Sequence, residues 1–260
     1  MDLTIVGCSG SLPGPSSPAS CYLVSTRAEG RVWRLLLDLG PGALGALQRH
    51  IDPLGLDAVV LSHLHPDHCL DLTGLRVLRS YGPSPATQDL PVHAPAGAAE
   101  RMARAYGVAG PEPVTGMDFV DLVDGRPFAV GPFTVTPYAV LHPVPAYGLR
   151  VEADGLVLAY TGDTDTCPGL EPIMAGADLV LAEASYLEGR DPGRGVHLTA
   201  HRAAQAARDA GARRLMLTHL PPWTDPQEAR AEAARVWPGE VELAVPDATV
   251  PVAGTPRAGR

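Results

Sequence analysis

Ser62-His63-Leu64-His65-Pro66-Asp67-His68 places four candidate metal ligands within six residues. The run before it, Asp57-Ala58-Val59-Val60-Leu61, is apolar and β-branched, which predicts a buried strand. The ligands then stand where strand gives way to loop, the usual place for chemistry in an α/β sheet. Imidazole and carboxylate together suit zinc, manganese or iron. In a strand-like stretch His63 and His65 project to the same side, leaving Asp67 and His68 to turn toward a second ion. A His-rich surface turn is the plainer alternative, but the H-x-H-x-D-H spacing favours a metal site.

The chain of 260 residues is long enough to bury a large core. Its 45% hydrophobic and 19% charged content is that of a globular protein rather than a disordered one. The net charge is −9 and every basic residue is Arg. An acidic chain lacks the broad basic face that a large nucleic acid requires, whereas a small anionic substrate remains compatible with a metal site that supplies its own positive charge. Cys8, Cys21, Cys69 and Cys167 are scattered with no C-x-x-C, which predicts free thiols in a reducing compartment. The N-terminus reads as a strand rather than a signal peptide, and no apolar run approaches the ~20 residues that span a bilayer. These features predict a cytoplasmic protein that does not bind membranes.

Outward from the motif, strands are predicted at Leu3 to Val6, Cys21 to Ser25 and Arg34 to Asp38, with a Gly/Ser/Pro loop from Gly7 to Pro15. That loop reads either as a plain turn or as backbone N–H groups placed near an anion. Asp38 has two readings, as a carboxylate orienting a metal-binding histidine or as a helix cap. Helices are predicted at Ala43 to His50, Cys69 to Ser80 and Ala96 to Tyr106, with a strand at Leu90 to His93. His50 reads as a surface residue and His93 as a structural one. Met117 to Leu122 and Phe128 to Val140 alternate polar and apolar residues and predict antiparallel strands. A hairpin turning at Asp154-Gly155 leads into Thr161-Gly162-Asp163-Thr164-Asp165. Strands ending in Glu183 and His219 follow, with a Thr199-capped helix between them. No linker or internal repeat interrupts the pattern. It predicts an α/β (α+β) fold, a four-layer αββα sandwich forming one domain over 1–250, with a frayed tail over 251–260.

Four strand ends therefore carry ligand-type residues: His63/His65, His142, Asp163 and His219. With Asp67 and His68 this set resembles the metallo-β-lactamase fold superfamily over nearly the whole chain. The resemblance implies His63, His65 and His142 on a first metal, Asp67, His68 and His219 on a second, and Asp163 bridging the two. An aspartate in the bridging position is similar to the phosphodiesterase branch, which includes the transfer-RNA 3′-processing endonucleases (tRNase Z). Ala182-Glu183-Ala184-Ser185 and His197-Leu198-Thr199-Ala200 occupy the positions of that branch's H-E-A-T stretch and its following histidine, although the leading His is Ala182 here. The resemblance implies that His197, oriented by Glu183, protonates the leaving oxygen. His201, one turn along, has no such role.

Two departures separate the chain from tRNase Z: the interval from His142 to Asp163 is only 21 positions, which leaves no room for a tRNA-gripping arm, and the charge is acidic. Gly7-Cys8-Ser9-Gly10-Ser11, Ser17-Pro18-Ala19-Ser20, Leu44-Gly45-Ala46-Leu47-Gln48-Arg49-His50, Cys69-Leu70-Asp71-Leu72 and Leu217-Thr218-His219-Leu220-Pro221-Pro222-Trp223 resemble a bacterial group of atypical class II cyclic-nucleotide phosphodiesterases. The implied activity is hydrolysis of a 3′,5′-cyclic nucleotide such as cyclic AMP to its 5′-monophosphate. The attacking hydroxide would come from water between two divalent ions, zinc before manganese or iron, with Asp67 directing it. The alternatives are a tRNase Z-like endoribonuclease, a lactone or thioester hydrolase, an iron redox protein and a non-catalytic metal scaffold. Relatives of this kind form dimers, but no patch in the sequence marks a homodimer interface.

Overall fold

The strands β1 (Asp2–Gly7), β2 (Cys21–Ala28) and β3 (Arg31–Leu37) send alternate side chains to opposite faces, as strand geometry requires. In this computed structural model, which describes residues 1–107 and 115–254, the alternation divides the core into layers. Leu3, Ile5, Tyr22, Val24, Leu35 and Leu37 face inward to a cluster shared with Phe133, Leu149, Val151, Leu158 and Leu181. Val6, Cys21, Leu23 and Leu36 face outward to a second cluster containing Leu47, Leu72, Leu75 and Met102. A third cluster packs Val180, Ala182, Leu215 and Leu217 against Ala203, Ala204, Ala207 and Ala229. Three apolar layers between four layers of secondary structure make the expected αββα sandwich.

The remaining strands are β4 (Ala58–Val60), β5 (Leu90–Ala94), β6 (Met117–Asp121), β7 (Phe128–Val130), β8 (Phe133–Ala139), β9 (Tyr147–Ala153), β10 (Leu156–Tyr160), β11 (Leu179–Glu183), β12 (Leu215–Thr218), β13 (Val241–Leu243) and β14 (Thr249–Pro251). They form two seven-stranded sheets, ordered β14-β1-β2-β3-β4-β5-β6 and β13-β12-β11-β10-β9-β8-β7. The helices are α1 (Ala43–Leu47), α2 (Pro66–Cys69), α3 (Leu72–Tyr81), α4 (Ala98–Tyr106), α5 (Leu170–Met174), α6 (Ala200–Asp209) and α7 (Pro226–Ala233). Most serve as crossovers between parallel strands, β3 to β4 to β5 to β6 and β10 to β11 to β12 to β13. Because β8 and β10 both run antiparallel to β9, they run in the same direction. The C-terminal ends of β4, β8, β10, β11 and β12 therefore present their following residues for one shared site.

Several local expectations hold. Asp154 and Gly155 both adopt positive φ (56° and 70°) in the β9–β10 hairpin, and Thr199 Oγ1 accepts the Arg202 N–H at the start of α6. His50 pairs with Asp247 at 2.8 Å, and His93 stacks on Phe128 with ring centroids 3.8 Å apart. Others are corrected. Met117–Asp121 does not join the antiparallel meander; β6 pairs parallel with β5 on the opposite sheet, and only β7 and β8 form the antiparallel pair. Alternating polarity marks a half-exposed edge strand and is blind to which sheet it joins. The helix predicted from Cys69 begins earlier, at Pro66, and is interrupted before Leu72, because proline is favoured in a helix's first turn. The tail expected from Pro251 does not begin there: Pro251 pairs with Asp2 in β14 and Val252 is fully buried. Residues 255–260 of that predicted tail lie outside the described residues. Among the described residues, no helix is long and apolar enough to cross a membrane.

Candidate metal centre

Three histidines meet first. His63 leaves β4 through Leu61 and Ser62, and His65 stands at the N-cap of α2. Their ring nitrogens approach to 3.0 Å, from His63 Nε2 to His65 Nδ1. His142, beyond β8, brings Nε2 to 3.0 Å from the same His65 Nδ1. Its Nδ1–H donates to Val196 O at 2.8 Å, so in the neutral ring Nε2 carries the lone pair. Burial holds His63, His65 and His142 below the ordinary imidazole pKa, most strongly for His63, where the neighbouring His68 charge adds to it. Three neutral imidazoles with converging nitrogens are the donor set of a metal site.

The second group is more deeply buried. Pro66 opens α2, and its first turn turns Asp67 and His68 away from His65. His68 Nε2 lies 3.1 Å from His219 Nε2, and His219 Nε2 lies 3.2 Å from Asp67 Oδ2. Asp163, after β10, stands between the groups, with Oδ2 3.8 Å from His63 Nε2 and Oδ1 3.2 Å from His68 Nε2 and 3.5 Å from His219 Nε2. Its Oδ1 is buried and accepts no hydrogen bond. A buried carboxylate oxygen left without a donor, facing imidazole nitrogens on both sides, fits a bound cation. Burial opposes ionisation of Asp163, yet the His219 and His68 charges hold its pKa well below the usual carboxylate range. Asp67 is also held low against burial, by the His219 and His68 rings beside it. One ligand atom from each of His63, His65 and His142, and one from each of Asp67, His68, Asp163 and His219, come together within 4.8 Å inside their own group.

The outer partners orient these rings. Asp38, fully buried at the end of β3, accepts His68 Nδ1–H at 2.8 Å, Ser62 N–H at 2.7 Å, the Ser62 hydroxyl at 2.8 Å and the Tyr160 hydroxyl at 2.6 Å. Of its two sequence readings, the geometry realises the histidine-orienting one. Burial works against a charged His68, but the Asp163 and Asp38 carboxylates outweigh it and hold its pKa well above the ordinary value. Ser185 does the same service for His219. Its hydroxyl donates to His219 O at 2.9 Å, so His219 Nδ1–H donates to Ser185 Oγ at 2.8 Å and Nε2 is left facing the cluster. The Ser11 N–H, 3.3 Å from Nε2, reaches the same lone pair from the Gly/Ser loop. The roles of Ser185, Ser62 and Tyr160 were not visible in the sequence, because serine and tyrosine at strand ends carry no spacing signature.

Glu183, the last residue of β11, is fully buried and accepts backbone N–H groups from Thr164, Ser185 and Leu198 at 3.0–3.2 Å. It also accepts His197 Nδ1–H at 2.9 Å. Burial lowers the His197 pKa, but the Glu183 charge and hydrogen bond overcome it and push it up to about 9. Glu183, His197 and His219 could themselves gather a metal, but a carboxylate satisfied by three backbone donors is built to orient a histidine. The His197 ring stands 5.5 Å from that of His142 and 5.7 Å from that of His219, edge-on to Tyr186 at 5.1 Å. All nine residues singled out from the sequence thus meet in one place.

Comparison with known proteins agrees with this geometry. The family model described as a β-lactamase superfamily domain matches residues 33–220. An uncharacterized protein of Mycobacterium tuberculosis is 41% identical over 254 residues, spanning 96% of this chain and 92% of that protein. The probable metallo-hydrolase YhfI of Bacillus subtilis is 30% identical over 94% of this chain and 97% of its own length. The crystal structure of YhfI, described as a metallo-β-lactamase fold protein, superposes with a TM-score of 0.83 over 96% of this chain and 99% of that one, at 28% identity. Ribonuclease Z of Mycolicibacterium paratuberculosis is 30% identical over 277 residues, 94% of this chain and 95% of that protein.

Proposed function

This chain belongs to the metallo-β-lactamase superfamily, in its ribonuclease Z-related branch of metallo-hydrolases, and from that membership we propose that it is a dinuclear-metal phosphodiesterase acting on a small anionic diester, a 3′,5′-cyclic nucleotide such as cyclic AMP first. His63, His65 and His142 would hold one divalent ion and Asp67, His68 and His219 the other, with Asp163 shared; zinc suits this donor set, as do manganese and iron. Bound there, two such ions would acidify water and offset charge on the phosphoryl oxygens.

The observation that carries the reading is His197 held through Nδ1 on the buried Glu183 carboxylate, beside the cluster. A ribose oxygen is a poor leaving group and departs readily only when it receives a proton. Glu183 raises the His197 pKa and so favours the protonated ring, and it fixes that ring through Nδ1, leaving Nε2–H to donate. Asp67 stays ionised because the His219 and His68 rings beside it hold its pKa low against burial. The likeness to ribonuclease Z supports tRNA 3′ processing as a second reading, while the short span between His142 and Asp163 and the acidic charge weigh against it.

Product analysis separates the two. Metal-loaded protein is offered cyclic AMP, cyclic GMP, a precursor tRNA and bis(p-nitrophenyl) phosphate, with Asp67→Ala as control. Cyclic-nucleotide hydrolysis that the variant loses is the expected result. Cleavage of precursor tRNA alone would transfer the assignment to RNA processing, and absence of diester hydrolysis would refute phosphodiesterase activity.

A further inference from the structure

Asp165 follows the shared Asp163 by two residues, is 2% exposed, and has no part in either ligand group. It nevertheless touches the surroundings of His142 from two sides. Its backbone N–H donates to Leu141 O at 2.9 Å, and Thr164 Oγ1 accepts the Leu141 N–H at 3.1 Å, which pins the main chain beside His142. Its side-chain Oδ2 accepts the Gly195 N–H at 2.7 Å. The next residue, Val196, offers the carbonyl that receives His142 Nδ1–H, and the one after it is His197. Gly195 adopts a φ of 79°, a turn in which the backbone N–H is free to face the carboxylate. The other oxygen accepts the Thr166 N–H at 2.7 Å and pairs with the Arg202 guanidinium of α6, which in turn reaches Glu188 at 3.2 Å.

We propose that Asp165 is a positioning residue: its carboxylate holds the 195–198 loop, and through that loop aims His142 Nε2 at His63 and His65 and keeps His197 at the edge of the cluster. The physical reason is that a histidine ring is oriented by what its second nitrogen binds, and here that partner is a loop carbonyl. A loop carbonyl is only as fixed as the loop, and Gly195 by itself gives the loop little stiffness. Arg202 neutralises the carboxylate and fixes its rotamer, so Gly195 meets a preset acceptor. The proposal rests on reading His63, His65 and His142 as a metal site.

The test is calorimetric titration of zinc into the chelator-stripped full-length chain, with folding checked by circular dichroism. Asp165→Ala should weaken one of two binding events about tenfold, the lower end of the range for residues that support ligands, and leave the other within about twofold. His142→Ala identifies the affected event by abolishing it. Asp165→Asn, whose amide oxygen still accepts the Gly195 N–H while its NH2 faces the Thr166 N–H and Arg202, should recover part of the loss. With bis(p-nitrophenyl) phosphate the Ala variant at saturating zinc should lose kcat more than KM. A folded Asp165→Ala protein with both events unchanged, or both weakened equally, would overturn the proposal, as would an Asn variant as weak as Ala. If Asp165→Ala does not fold, Arg202→Met must show a smaller selective loss in the same event, and no selectivity overturns the idea. Zinc binding without diester hydrolysis would refute the proposed function while leaving this inference standing.

Discussion

Replacing Asp38 with Asn exchanges one atom and tests how far the metal centre depends on its buried support. Asp38 sits at φ 58°, a conformation that asparagine tolerates, so the backbone is not the variable. Oδ1 of the new amide can still accept the Ser62 N–H. The other position is where the consequence lies: a single oxygen there accepts the Ser62 hydroxyl, the Tyr160 hydroxyl and His68 Nδ1–H. An NH2 group in its place faces three donors. The two hydroxyls can rotate, but His68 can comply only by giving up its Nδ1 proton, which leaves its remaining proton on Nε2, pointing into the ligand cluster. Two to three buried donors each losing about 1 kcal/mol or more predict a loss of about 2–4 kcal/mol, a large share of the ~5–15 kcal/mol that a domain has. Urea unfolding followed by circular dichroism in chelator isolates this loss from metal binding. Zinc affinity of the site containing His68 should fall 10- to 100-fold, as for other carboxylate–histidine–metal arrangements. Tyr160→Phe, which removes one donor and leaves the carboxylate, should cost only about 1 kcal/mol. An Asp38→Asn protein within about 0.5 kcal/mol of the parent, with unchanged zinc affinity, would refute the reasoning.

His197→Ala should slow cyclic-nucleotide hydrolysis by about 10²–10⁴-fold yet slow bis(p-nitrophenyl) phosphate much less, because nitrophenolate leaves without a proton; equal losses on both would remove His197 as the acid. With its pKa pushed up to about 9, His197 should make the parent's nucleotide rate fall as pH rises through that value, and the variant's profile should lack this limb. Burial raises the thiol pKa of Cys8, Cys21 and Cys69, the last to about 12, so Ellman's reagent should titrate only Cys167 in the native protein and all four thiols in urea. Gly10→Ala would set a Cβ 2.2 Å from the His219 carbonyl oxygen, and the forced shift should cost about 1–3 kcal/mol in urea unfolding and weaken zinc binding with it.

Much of the site was legible because its residues obey local rules. A β-branched run followed by H-x-H-x-D-H marks a strand end with ligands, and Asp154-Gly155 marks the hairpin that delivers Asp163. Glu183 and His197 became legible only through family resemblance, since 14 residues separate them and no spacing rule relates a strand's last residue to a loop histidine. Asp38 was visible as a candidate with two readings, and only its contact with His68 chose between them. The placement of β6 was misread because its alternation is the same whichever sheet it borders. The start of the tail was misread because Val252 is a single apolar residue whose burial comes from packing between the sheets.

The amino-acid sequence by itself determined that ligand-type residues stand at four strand ends, because strand propensity, turn residues and ligand spacing are properties of short segments. The tertiary structure alone decided that five strands open toward the same edge, because strand direction follows from crossovers and sheet pairing. It also decided which nitrogen of His68, His142 and His219 faces the cluster, because the other nitrogen is claimed by Asp38, Val196 and Ser185 respectively, across separations of 30 to 54 residues. Those contacts form only when the two sheets close on their shared core, which is why no local pattern could announce them.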